Sequence, residues 1–240
     1  MILALDVGNT NTVIGGFEDG TLQFSLRMTS DRNKTIDEYV SHLRLLLSEK
    51  SVDFSKVEGG IISSVVPELR YVLGKTMEVL TGKQFMIVTN QMKLDMAIKM
   101  DIPSQVGADL LVDAAAALSL YRPPLAIFDM GTATTMSVID KEGNYIGGVI
   151  IPGLRLSMDA LSARAAQLPF INLDEPPQHL IGKNTIDCMK AGAVYSNAAM
   201  IDGLIDRVQE ELGEPVTAVA TGGLMGVVLP FCKHTIHYDE

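Results

Sequence analysis

The feature that most restricts what this chain can fold into is a motif that occurs twice. "LALDVGNTNTVIGGF" (residues 3–17) and "LAIFDMGTATTMSVID" (residues 125–140) each run an apolar segment into an aspartate, Asp6 or Asp129. A turn rich in Gly and Thr follows, and then apolar alternation resumes. Each copy reads as strand, polar turn, strand. Asp-Val-Gly-Asn-Thr-Asn-Thr matches Asp-Met-Gly-Thr-Ala-Thr-Thr half a chain away. The repeat therefore predicts two homologous domains, residues 1–122 and 123–240, divided near Pro123. Chance similarity is the alternative, because Asp, Gly, Asn and Thr are the commonest turn residues.

Both copies continue alike. "TLQFSLRM" (21–28) follows the hairpin signal Asp19-Gly20, and "YIGGVII" (145–151) follows Glu142-Gly143-Asn144, giving each half a three-stranded meander. Thr35 and Glu38 have capping-box spacing ahead of Tyr39, Leu43, Leu46 and Leu47, which recur at helical period through Glu49. "VEGGIISSV" (57–65) reads as a buried strand, Pro67 starts a helix to about Leu80, and "QFMIVT" (84–89) is the next strand. An Ala-rich helix lies within 103–124 and stops at Pro123-Pro124. The second half offers a helix over 153–168, a long helical region over 185–212 bent at Gly192, a strand over 216–223 and a short helix to about Cys232. The expected class is α/β, with two duplicated domains, each a mixed sheet flanked by helices.

Composition narrows the partners. The net charge is −10 and the basic residues form no run, which argues against a nucleic-acid surface. No apolar run approaches the ~18 residues of a membrane helix, so no membrane is expected. Cys188 and Cys232 are too few for a disulfide framework, and the cytoplasm is the expected compartment. His42, His179, His234 and His237 are scattered and suggest no metal site.

The two turns have a chemistry of their own. A turn with Gly at its tight position exposes backbone N–H groups, and Asn or Thr side chains add neutral donors, which together suit phosphate oxygens. Asp6 and Asp129, at strand ends, would offer carboxylates to a magnesium hydration shell or to a second cation. Two such turns would clamp a triphosphate. The glycines of "ATGG" (220–223) fall where a strand gives way to a helix and would let a purine or ribose approach the backbone. Asp109 opens an apolar helix. It is either a helix-start carboxylate, worth about 0.3–1 kcal/mol against the helix dipole, or a base for an attacking alcohol. Thr185 has the composition of an N-cap, with Asp187 in the first turn.

In order and spacing, "ALDVGNTNTVIGGF", "VGADLLVDAAAAL", "FDMGTATTMSVID", "GGVIIPGLRLSMDALSARAAQLP", "IGKNTIDCMKAG", "MIDGLI" and "ATGGL" resemble the type III pantothenate kinases. These belong to the actin, hexokinase and heat-shock chaperone ATPase superfamily, and the resemblance runs from residue 1 to about 235. It implies two ribonuclease-H-like domains that bind ATP with Mg²⁺, and phosphorylation of pantothenate in the first committed step of coenzyme A synthesis. It further implies a homodimer and a monovalent cation, K⁺ or NH₄⁺. Carried over position by position, the phosphate-binding stretch falls on Asp6, Val7, Gly8, Asn9, Thr10, Asn11, Thr12 and Val13. The monovalent-cation aspartate falls on Asp129, Thr132 is a second ATP contact, and Asp109 is the proton acceptor. Asp6 also serves as a metal ligand. Gly107, Ala108 and Thr185 fall on acceptor-binding positions.

Two acceptor positions depart from the pattern. The family's Gly-Ala-Asp-Arg is here Gly-Ala-Asp-Leu, with Leu110 in place of the arginine, and Met100 stands where a tyrosine is usual. A leucine cannot reproduce the charge-assisted bonds of a guanidinium. Three readings stay open: a pantothenate kinase that holds the substrate carboxylate with Arg155, Arg164 or Lys99, a kinase for a different small alcohol, or a nucleotide-binding paralogue with a regulatory role. Family members also usually continue past "HTIHYDE" (234–240) with a hydrophobic terminal segment.

Overall fold

The computed structural model of the chain describes Met1–Asp239. Ten strands form two five-stranded sheets of matching topology. The first is built from β1 (Ile2–Val7), β2 (Asn11–Glu18), β3 (Thr21–Thr29), β4 (Gly59–Ser64) and β5 (Met86–Ile87), in the order β3-β2-β1-β4-β5. The second uses β6 (Leu125–Met130), β7 (Ala133–Ile139), β8 (Tyr145–Pro152), β9 (Thr217–Thr221) and β10 (Ile236–Tyr238), in the order β8-β7-β6-β9-β10. In each sheet the first three strands are an antiparallel meander and the last two join in parallel. Two matching units are what the repeat predicted, and their ribonuclease-H-like architecture is what the resemblance implied.

Helices fill the crossovers that parallel pairing demands. α1 (Ile36–Glu49) begins with the expected capping box: the Thr35 hydroxyl accepts from Glu38 N–H, and Glu38 Oε2 accepts from Thr35 N–H at 2.8 Å. α2 (Pro67–Thr81) starts on proline and ends at Gly82, which is left-handed at φ 69°. Tyr39, Leu43 and Leu47 of α1 and Leu69, Leu73 and Met77 of α2 are fully buried with Leu3, Leu5 and Val7 of β1. One face of the first sheet is thereby closed, and alternation along β1 turns Asp6 to the other face.

In the second half, α4 (Leu154–Arg164) and α5 (Thr185–Leu212) occupy the place of α1, and the short α6 (Met225–Val228) that of α2. Phe128 and Met130 of β6 pack with Val194, Ala198, Ile201 and Ile205 of α5. α3 (Ala108–Leu120) links the halves. Two compact units result: Met1–Lys93 with Ile102–Val112, and Leu94–Asp101 with Asp113–Glu240. Packing thus divides the chain inside α3, whereas the duplicated units are read on either side of Pro123.

α5 covers the expected 185–212 as one continuous helix through Gly192, since one glycine costs a long packed helix only about 1 kcal/mol. Other elements differ from the sequence reading. α4 stops at Arg164, four residues before the expected end. β10 was not anticipated. "TIHYD" shows too little alternation, and its place is set by the Asp202 carboxylate, which accepts from the N–H groups of Lys233 (2.9 Å) and His234 (3.0 Å).

Candidate active site

The two turns are built alike. Gly8 N–H donates to Asn11 O at 2.9 Å, and Gly131 N–H to Ala133 O at 3.0 Å. Ser30 N–H donates to Thr10 O at 2.9 Å, and Gly153 N–H to Thr132 O at 3.2 Å. The register pairs Val7 with Thr12 but Met130 with Thr134, so the second turn is one residue shorter. Thr12 therefore corresponds to Thr134, and Thr10 to Thr132, with Asn9 the additional residue. A straight alignment of the two motifs misses this gap.

Asn9, Thr10 and Asn11 are exposed at the tip of the first turn, whereas Val7, Thr12 and Val13 anchor it, Thr12 and Val7 being fully buried. The Thr12 hydroxyl lies 2.9 Å from that of Ser30. Asp6 emerges on the open face beside Ser63, its register neighbour on β4. Desolvation and then the like charge of Asp109 push the Asp6 carboxyl above the usual carboxylate range, with the Ser63 hydroxyl pulling the other way. Asp6 and Asp109 thus share one electrostatic site in the first unit, although a hundred residues separate them.

Asp109 sits in the first turn of α3, and its Oδ1 accepts from Leu110 N–H at 2.8 Å. A Cβ on Gly107 would run into that same Oδ1, so the glycine leaves room for the carboxylate. Ala108 is buried and Leu110 half-buried. These four neighbours of the site all belong to the first unit.

In the second unit, Asp129 is the penultimate residue of β6, in register with Thr135 on β7 and Thr221 on β9. Gly222 follows at φ +92°, and a Cβ there would come within 2.6 Å of Asp129 Oδ1. The first glycine of "ATGG" therefore lets the backbone pass close to this carboxylate, whereas a Cβ on Gly223 would meet nothing within 4 Å. Thr132 is exposed at the turn's tip. Met100 lies in the segment Leu94–Asp101, which pairs with β8 through Tyr145 N–H to Ala97 O (2.9 Å) and Lys99 N–H to Tyr145 O (2.8 Å). Its sulfur covers Gly147.

Thr185 is the first residue of α5 and not its N-cap. Asn184 takes that role, its Oδ1 accepting from Asp187 N–H at 2.9 Å. The Thr185 side chain is thus left to line a groove of about 910 Å³ with Pro152, Leu154, Met158, Asn184 and Asn197. Lys99, a candidate for the acceptor carboxylate, is engaged elsewhere: its Nζ is 2.9 Å from Asp140 Oδ2. Burial pushes the Asp140 carboxyl up, but Lys99 and the Asn144 backbone and amide outweigh it and hold it down to about 2. Arg155 and Arg164 are exposed on α4.

The residues suit the groups that the resemblance implies. Among the described residues no three His, Cys, Asp or Glu side chains converge on a metal position. Mg²⁺ is commonly held by one or two carboxylates plus phosphates and water rather than by a protein cage. The like-charged Asp6 and Asp109 are a pair that a divalent cation would relieve.

Fold and turns together define the class, a two-domain actin-like ATPase architecture. The same fold is found in the activator of the 2-hydroxyisocaproyl-CoA dehydratase from Clostridium difficile, with a TM-score of 0.54 over 100% of this chain and 88% of that one at 11% identity. The sequence profile of the type III pantothenate kinases matches residues 2–207. A type III pantothenate kinase of Moorella thermoacetica is 44% identical over 230 residues, covering 96% of this chain and 90% of the relative. Another, from Bacillus cytotoxicus, is 42% identical over 228 residues, covering 95% and 87%. The chain belongs to the type III pantothenate kinase family.

Proposed function

We propose that the protein transfers the γ-phosphate of ATP to the primary alcohol of pantothenate, giving 4′-phosphopantothenate for coenzyme A synthesis. The observation that carries this is Asp109, held beside Asp6 on the open face of the first sheet in a chain of this family. Asp109 orients the alcohol and takes its proton as the oxygen attacks the γ-phosphorus. The bond to the bridging oxygen breaks and ADP leaves. Backbone N–H groups of the Gly8–Asn11 turn, with Asn9, Thr10 and Asn11, hold phosphate oxygens, and Thr132 is assigned as a further ATP contact. Mg²⁺ would neutralise phosphate charge, with Asp6 the carboxylate that would help hold it. Asp129 would hold K⁺ or NH₄⁺, Gly222 leaving room for its carboxylate. Gly107, Ala108 and Thr185 bind the acceptor.

A homodimer is part of this reading. It is supported by large apolar side chains that the second unit leaves in solvent: Ile150 at 77%, Phe170 at 71% and Ile181 at 80% exposure, with Leu156 and Leu180 also exposed. No helix among the described residues is long and apolar enough to cross a membrane.

Asp109→Asn tests the assignment. Calorimetry is expected to show ATP affinity within a few-fold of the parent, while ADP release with pantothenate falls by about 10²–10⁴-fold. Near-parental turnover in the variant would place the base elsewhere. A second reading rests on Met100 and Leu110: the acceptor is a different small alcohol, or the chain binds nucleotide without turnover.

A further inference from the structure

The turn that receives the phosphates is neutral, and its neighbours Asp6 and Asp109 are anionic. A polyphosphate brought there by Mg²⁺ remains anionic and would meet two carboxylates with no compensating side-chain charge from the turn itself. Arg32, in the connection between β3 and α1, supplies that charge. Its Nη2 donates to Asn9 Oδ1 at 2.7 Å, at the tip of the turn and on the residue that the second turn lacks. Among the described residues Arg32 makes no ion pair, so none of its five N–H donors serves a protein carboxylate.

The loop carrying Arg32 is fixed to the turn and to the core. Ser30 N–H donates to Thr10 O at 2.9 Å, and the Ser30 hydroxyl lies 2.9 Å from that of Thr12. The fully buried Tyr39 holds the next residue from both sides. Its hydroxyl accepts from Asp31 N–H at 3.0 Å and donates to Asp31 O at 2.9 Å. Asp31 Oδ1 in turn accepts from Asn33 N–H at 2.9 Å. The residues on either side of Arg32 are thus tied down, and the guanidinium starts from an ordered backbone, which lowers the entropy lost when it closes on a ligand.

We propose that Arg32 is a phosphate-binding residue of this kinase, clamping the non-bridging oxygens of the β- and γ-phosphates from the tip of the first turn. This rests on the reading of that turn as the ATP site. A planar guanidinium matches two phosphate oxygens at once, which the neutral Asn and Thr side chains cannot do.

The test is calorimetric titration of the parent, Arg32→Ala, Arg32→Lys and the control Arg44→Ala with Mg²⁺-ATP, Mg²⁺-ADP and AMP. Arg44 is an exposed arginine of α1, so its variant loses the same charge away from the turn. Arg32→Ala is expected to weaken ATP and ADP by roughly 10–100-fold and AMP much less, with Arg32→Lys intermediate and Arg44→Ala unchanged. The KM for ATP should rise while that for pantothenate stays put. ATP binding by Arg32→Ala within two-fold of the parent, or equal losses for ATP and AMP, would overturn the assignment and leave the ATP site standing. Absence of nucleotide binding by the parent would instead remove the site itself, and the assignment with it.

Discussion

At the scale of single residues, the acceptor side decides how this chain uses its kinase fold. Leu110 follows Asp109 directly and is half-buried, and Met100 covers Gly147 on β8. Neither side chain can hydrogen-bond a carboxylate. Restoring Leu110→Arg and Met100→Tyr together is expected to lower the KM for pantothenate by about 10–100-fold, the usual worth of a charged hydrogen bond, with the KM for ATP unchanged. Coupled ADP-release kinetics check this. An unchanged KM for pantothenate would mean that another group already holds the carboxylate, Arg155, Arg164 or Lys99, the last after leaving its pairing with Asp140. The acidic residues of the two turns were legible in the sequence because Asp-x-Gly turns are local patterns, whereas Asp109 was singled out only by the family resemblance, its own surroundings reading equally as a helix start. Ser63 beside Asp6, and Arg32 on Asn9, were not. Strand register and loop closure bring those pairs together, and neither leaves a local signal.

At the scale of elements, the short segment that carries Met100 is held by a few identifiable bonds. Its ladder to Tyr145 is backed by the Lys99–Asp140 ion pair. Asp140 is held at about 2, below its unfolded value, so the stabilisation is fully present above about pH 4 and is lost as pH falls through about 2. Lys99→Met is expected to lower stability at pH 7 by about 1 kcal/mol or less, because Lys99 is half exposed and screened. The difference from the parent should shrink between pH 4 and pH 2 in urea titrations, and a constant difference would assign the effect to packing. The sequence foretold α1, α2 and α3 from capping, proline and alanine content, each a local preference. It missed β10 and misplaced the cap of α5, where Asn184 and Thr185 compete for one role and only backbone geometry chooses between them.

At the scale of the whole molecule, the duplication was legible because both copies keep the same strand–turn–strand pattern, and the two sheets share one strand order. The shorter second turn and the compact division inside α3 were hidden, since a one-residue gap preserves the motif and packing is not bound to repeat boundaries. The apolar surface of the second unit makes assembly testable. Sedimentation is expected to give a dimer for the parent and a monomer for Ile150→Glu with Ile181→Glu, and a monomeric parent would remove the homodimer. The central claim is phosphoryl transfer to pantothenate. It is tested most directly by incubating the protein with Mg²⁺-ATP, K⁺ and pantothenate and following 4′-phosphopantothenate by mass spectrometry. The account predicts a product that accumulates in step with ADP and is lost with Asp109→Asn. Nucleotide binding without any phosphorylated pantothenate would contradict it.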